Sequence, residues 1–279
     1  MAKTYCAEWH AGGLRFANPP YRWDEHMTKQ LQNKIAVVTG ASNGIGRGIA
    51  EMFGAEGAKT VLVARRAELL DEVAEKIRAG GGEALPVPTD LTQEAQVTAL
   101  FAEVKARYGR LDVLVNNAGV PTHINTEDIT LAYWREVMDI NITAAFLCSR
   151  EAIRIMKEQT PQGGRIINMG SVSAKTPRPD SLPYTASKFA IQGMTHQLTM
   201  DGRKHNIVAS IVHPGATLSS FSTRRGRTKA GPGPTPDDYI MAAEDVAKVA
   251  LLMAALPGEV NLYEATILPN HMRSFIGRG

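Results

Sequence analysis

Two cysteines in 279 residues are too few for a disulfide framework. Cys6 stands near an irregular start and Cys148 inside a helical pattern, and neither has a histidine-containing motif beside it. Packing or surface thiols in a reducing compartment are therefore expected, rather than nucleophiles. The net charge of +3, from 31 basic and 28 acidic residues, is too slight for a ligand with a phosphate backbone. There is no apolar leader at the start and no apolar run of about 18 residues, so a cytoplasmic protein that is neither secreted nor membrane-spanning is expected. Internal repeats and low-complexity tracts are lacking, and no metal site is expected.

What the sequence has is small aliphatics: 44% of residues are hydrophobic but only 6% aromatic. From Lys34 onward, β-branched runs (Ile35–Val38, Thr60–Val63, Ala84–Val87, Val113–Val115, Arg165–Asn168 and Val208–Val212) alternate with helical patterns such as Leu69–Arg78 and Val97–Val104. Alternation of this kind forces parallel pairing with crossovers. The expected fold is α/β: a doubly wound parallel sheet in a three-layer α/β/α single domain over residues 34–279. Residues 1–33, with Trp9, Tyr21 and Trp23, read as an N-terminal extension. An irregular stretch from His213 to about Met241 precedes a helix near Ala243–Leu256 and a last strand near Val260–Leu268. Following a strand's carboxyl end, that loop (around 214–243) is expected to face ligand.

The first strand runs into Gly40-Ala41-Ser42-Asn43-Gly44-Ile45-Gly46, with a helix beginning near Ile45. Glycines there permit a sharp turn and close approach to a pyrophosphate, while the helix N-terminus offers free N–H groups. A dinucleotide is the expected occupant. Where an NAD-binding protein would carry a carboxylate for the ribose, this chain has Ala64 followed by Arg65 and Arg66. Guanidinium groups suit a 2′-phosphate, which favours NADP(H) with NAD(H) still possible. The alternative is that both arginines merely open a solvated helix.

The strand ending at Asn168 leads to Ser171, and thirteen residues later Tyr184 and Lys188 stand at i and i+4 on a predicted long helix. A lysine charge at about 4 Å and an effective dielectric of about 20 would favour the phenolate by roughly 4 kcal/mol, about three pK units before desolvation offsets it. Tyr184 then has the properties of a general acid/base for hydride chemistry, with Ser171 bonding the substrate oxygen. Ser173 is a rival for the hydroxyl role, but the spacing favours Ser171.

With these pieces, together with Asn116-Asn117-Ala118-Gly119, Asn141 and Pro214-Gly215, the chain resembles the short-chain dehydrogenase/reductase family over roughly Gln32 to Leu268. The resemblance implies a Rossmann-type domain in which Ser171, Tyr184 and Lys188 are catalytic and Asn141 holds a water that relays protons to Lys188. It further implies cofactor contacts at Gly40, Ser42, Asn43, Gly44, Ile45 and Gly46, at Arg65 and Arg66, and at Asp90 and Leu91 beside the adenine. Asn117, Ala118 and Gly119, then Pro214, Gly215 and Thr217, complete that set, with Lys188 also on the nicotinamide ribose. For Asn116 and Asn117 a structural role is an equal alternative. Ser219 replaces a common threonine of the family. A homotetramer or homodimer is also implied.

The expected activity is interconversion of a secondary alcohol or hydroxy acid with a ketone or aldehyde. The partner is a small molecule, acidic if Arg224, Arg225, Arg227 and Lys229 form a lid; no nucleic acid or membrane is expected. Same-fold chemistry of another kind, an imine reductase or epimerase, is the first alternative. A non-catalytic nucleotide-binding scaffold is the second.

Overall fold

The computed structural model describes residues 29–219, 230, 231, 233, 239–270 and 272. Seven strands form one all-parallel sheet: β1 (Ile35–Thr39), β2 (Lys59–Ala64), β3 (Glu83–Pro88), β4 (Val113–Asn116), β5 (Gly164–Met169), β6 (Ile207–Pro214) and β7 (Glu264–Ile267). Their order is β3-β2-β1-β4-β5-β6-β7, with β1 pairing Ile35 to Lys59 of β2 on one side and Ala36 to Val113 of β4 on the other. The winding reverses between β1 and β4. A crevice therefore opens at the carboxyl ends of these two strands.

The α-helices among the described residues are α1 (Gly44–Ala55), α2 (Ala67–Ala79), α3 (Glu94–Tyr108), α4 (Leu131–Met138), α5 (Ala144–Glu158), α6 (Leu182–Gly202) and α7 (Ala243–Ala255). Alternate strand residues feed two cores. Ala36, Val38 and Leu62 pack under Ile49 and Phe53 of α1, Leu70 and Val73 of α2, and Val246 of α7. On the other face Ile35, Val37 and Val61 meet Val97, Leu100 and Phe101 of α3 and Leu147 and Cys148 of α5. Strands buried on both faces need continuous apolar runs, which is why those runs are easily found in the sequence.

Leu31, in the stretch read as extension, is fully buried in the first core, and its amide bonds the Glu56 carbonyl at 2.9 Å. Trp9, Tyr21, Trp23 and Cys6 lie outside the described residues, as do Arg224, Arg225, Arg227 and Lys229. β6 runs on through His213 and Pro214, so the irregular stretch begins later than its sequence suggests. The base of that stretch is pinned by bridges between Thr217 and Met241 and between Gly231 and Ile240.

Candidate active site

The β1–α1 turn is built around positions that accept no side chain. Gly40 has φ +66°, and a Cβ on Gly46 would strike the Gly40 carbonyl and Asn117 Nδ2. α1 starts at Asn43, whose side chain caps nothing, and its first turn has no acidic residue. Its N–H groups are thus left for an anion, and the turn fits a dinucleotide pyrophosphate. Ser219 crosses this turn, its Cα 3.1 Å from where a Cβ of Gly44 would lie. The segment after β6 therefore covers the cradle.

At the end of β2, Arg65 and Arg66 are exposed, and their guanidinium groups have no hydrogen-bond or ion-pair partner among the described residues. Arg47 and Lys76, by contrast, are both held by Glu51, at 2.7 and 2.6 Å. Asp90 turns inward on its own chain: Oδ1 accepts from the Thr92 amide and hydroxyl at 3.0 and 2.8 Å. Leu91 and Ala118 share a small cavity with Thr39, Asn116 and Cys148. Asn117 serves the sheet, donating Nδ2 to the Thr39 carbonyl at 2.9 Å, while the Asn117 and Ala118 amides both donate to Thr39 Oγ1. Gly119 lies against Asn141. Gly215 donates its amide to Ile267 of β7 at 2.8 Å, and Thr217 Oγ1 donates back to the Gly215 carbonyl at 3.0 Å.

The structure brings Ser171, Tyr184 and Lys188 together. Ser171 follows β5, and its Oγ accepts the Ser173 amide at 3.1 Å, which leaves the hydroxyl proton to be donated. Ser173, its rival, thus supports Ser171 through its backbone. Tyr184 lies in the first turn of α6, with its amide on Thr122 Oγ1 at 3.4 Å. The Lys188 Nζ donates to the Met169 carbonyl at 2.7 Å and lies 5.5 Å from the centroid of the Tyr184 ring.

The electrostatics differ from the simple sequence argument. Burial raises the Tyr184 phenol above its ordinary value, opposed by a hydrogen bond with Ser171 and by the Arg178 charge. Lys188 does not hold the phenol down here. Its ammonium is itself buried, pushed down to about 8, and its hydrogen bond goes to a backbone carbonyl. Desolvation, expected only to offset the charge pairing, is the largest cause for both groups.

Asn141 sits in one turn of π-helix, Asp139–Thr143, between α4 and α5. Such bulges gather at functional sites. Its side chain is engaged: Oδ1 accepts the Val120 amide at 2.8 Å, and Nδ2 donates to the Val120 carbonyl and to Ser187 Oγ, each at 3.0 Å. Two further features escaped the sequence reading. One is a buried chain in which Asn116 Nδ2 donates to Asn168 Oδ1 at 2.9 Å and Asn168 Nδ2 to Thr195 on α6, also at 2.9 Å. The other is His213, wholly buried against Ser171; its signal was a polar ring closing an apolar strand just before Pro214-Gly215.

A family model described as short chain dehydrogenase matches residues 34–230. The chain belongs to the short-chain dehydrogenase family. It is 35% identical over 196 residues, 70% of each chain, to a 3β-hydroxysteroid dehydrogenase of Mediterraneibacter gnavus. A 3α-hydroxysteroid dehydrogenase of the same organism is 33% identical over 82% of this chain and 92% of its own. Among solved structures, a metagenomic short-chain oxidoreductase in complex with NADP superposes with TM-score 0.74 at 33% identity, covering 86% of this chain and 99% of its own. A 7α-hydroxysteroid dehydrogenase complexed with NADH and 7-oxo glycochenodeoxycholic acid gives 0.77 at 26% identity, covering 86% and 94%. As a short-chain dehydrogenase this chain is an oxidoreductase acting on CH–OH groups, with the Rossmann-type fold of the family.

Proposed function

We propose that this short-chain dehydrogenase interconverts a hydroxysteroid, or a similar fused-ring secondary alcohol, with its ketone, using NADP(H). The observation that carries the chemistry is the meeting of the Ser171 hydroxyl, the Tyr184 phenol and the Lys188 ammonium at the carboxyl end of β5. The dinucleotide, when bound, supplies or accepts the hydride. The chain's residues manage the proton. In oxidation Tyr184 takes the hydroxyl proton as the hydride leaves carbon; in reduction it returns a proton to the alkoxide. Ser171 donates to the substrate oxygen as its negative charge grows. Lys188 lies beside the ring with its ammonium pushed down to about 8, so that near this pH it can accept or return the proton that Tyr184 exchanges, with Asn141 on the same path.

The steroid assignment is supported by the two curated relatives. NADP(H) is supported by Arg65 and Arg66, two guanidinium groups without partners where the 2′-phosphate would lie. We place the protein in the cytoplasm as a homotetramer or homodimer. Free, buried Cys148 and the exposed Phe146, Phe189 and Met200 support that reading.

The test is a spectrophotometric panel of hydroxysteroids and oxosteroids beside small alcohols and ketones, run with NADP(H) and NAD(H). Steroids should be turned over, with the higher kcat/KM for NADPH. Tyr184→Phe should lower kcat by about a hundredfold or more while NADPH still binds. Equal turnover by wild type and Tyr184→Phe would rule the mechanism out, and turnover confined to small alcohols would rule out the substrate.

A further inference from the structure

His213 is the last residue but one of β6 and is wholly buried. Its ring lies against the turn that presents Ser171: Nδ1 is 2.9 Å from the Ser171 carbonyl oxygen and 3.3 Å from the Ser171 amide nitrogen. Gly170 makes the approach possible, because a Cβ there would stand 2.6 Å from Nδ1. The tautomer decides which contact is a hydrogen bond: with a proton on Nδ1 the ring donates to the Ser171 carbonyl, the shorter contact and the one assigned here, whereas without it Nδ1 accepts the Ser171 amide. The assigned tautomer leaves Nε2 as an acceptor. Nε2 is a buried atom with no hydrogen-bond partner, and it faces Glu264 Oε1 of β7 at 3.9 Å. Glu264 is held in turn by Lys175, whose Nζ also reaches Thr266 Oγ1 at 3.3 Å. A buried polar atom left unpaired calls for an explanation.

We propose that His213 is a positioning residue for the reaction: its Nδ1–H holds the Ser171 backbone so that the Ser171 hydroxyl meets Tyr184, and Glu264 and Lys175 brace the same turn from behind. The inference rests on the roles given above to Ser171 and Tyr184. Ser171 stands at the head of a short 3-10 turn, Val172–Ala174, that Lys175 closes. The His213 ring therefore grips one end of this turn and the Lys175–Glu264 pair the other. Displacing a donor by about 1 Å can cost on the order of a hundredfold in rate.

Charges face His213 from three elements: Glu264 on β7, Lys175 after β5, and Lys188 on α6, with His196 of α6 facing Glu264. Burial keeps the ring neutral, below the ordinary imidazole value; the Ser171 backbone and Glu264 oppose this, while Lys175 and Lys188 add to it. A proton on Nε2 would give Glu264 a second cation and weaken its hold on Lys175. Acid should therefore loosen the turn and slow the reaction. Ketone reduction isolates this effect, because there Tyr184 must start protonated and acid cannot disable it.

The experiment measures reduction of a 3-oxo bile acid by NADPH across the acid range, with the wild type showing an acid limb. His213→Leu should lower kcat by about ten- to a hundredfold with the KM for NADPH within about twofold. His213→Asn, which puts an uncharged amide near the Nδ1 position, should recover most of kcat and lose the acid limb; Glu264→Gln should move that limb to lower pH. Wild-type kcat in His213→Leu, or an unchanged acid limb in His213→Asn, overturns the proposal. Tyr184→Phe separates the two failures: if it still turns over, the catalytic reading is wrong, whereas if it is inactive and His213→Leu is fully active, only the role of His213 is wrong. Apart from turnover, and should His213→Leu not fold, ¹⁵N NMR of histidine-labelled wild type should find the neutral ring protonated on Nδ1, titrating at lower pH in Glu264→Gln. A neutral ring protonated on Nε2, or a titration that Glu264→Gln does not move, overturns it equally.

Discussion

Lys188 shows how function and stability oppose each other at a single residue. Its fall from 10.5 to about 8 on burial corresponds to about 3 kcal/mol against the charged form. The folded-state value lies below the unfolded one, so this penalty is fully present below about pH 8 and is relieved as pH rises toward 10.5. Lys188→Met should therefore unfold at a higher temperature than wild type at neutral pH, by less than the full penalty because the bond to the Met169 carbonyl is lost. The gap should narrow toward pH 10.5, read by calorimetry at several pH values. Activity should vanish in the same variant. Cys148 is the opposite case: burial pushes its thiol up to about 12, so it is an inert packing group, as its lack of a histidine-containing motif suggested.

At the scale of elements, the β1–α1 turn has the least tolerance. Gly46 faces the backbone carbonyl of Gly40 as well as Asn117 Nδ2, and only the second of these can swing away. Gly46→Ala should therefore cost about 1–3 kcal/mol in urea unfolding and weaken NADPH binding, measured by quenching of intrinsic fluorescence. An alanine there with unchanged cofactor affinity would mean that the turn does not approach the pyrophosphate. Elements were legible in the sequence to the degree that their cause was local. β1 and β2 stood out as apolar runs, and α2 as Leu69, Val73, Ala74 and Ile77 at helical spacing; the last three are buried in the structure, but Leu70 takes the buried place expected of Leu69. β7 was harder. Its Glu264–Ile267 core is only partly buried, so its pattern is faint, and the pairing of Ile211 with Glu264 depends on a strand far away in sequence. The π-turn at Asn141 had no composition of its own; it arises where α4 and α5 join and Asn141 reaches both Val120 and Ser187.

For the whole molecule, the apolar surface suggests self-association. Phe146 on α5 is 48% exposed, and Phe189 and Met200 on α6 are 49% and 59% exposed. No helix among the described residues is long and apolar enough to cross a membrane. Light scattering should return a mass two or four times the 30.2 kDa of one chain, and Phe189→Glu should lower it. A 30.2 kDa species for the wild type at micromolar concentration would refute the oligomer.

The sequence by itself determined the α/β class, the glycine turn at the end of β1 and the spacing of Ser171, Tyr184 and Lys188, because each depends on residues close together in the chain. Tertiary structure decided the rest. Whether Lys188 favours a Tyr184 phenolate is set by desolvation, which exists only once α6 packs against β5 and β6. Asn117 proved to tie β4 to Thr39 of β1, and His213, unremarked in the sequence, came to rest against Ser171 across two adjacent strands. Burial and contact between distant segments carry no local pattern, so the residues that support a site are found only after the chain has folded around it.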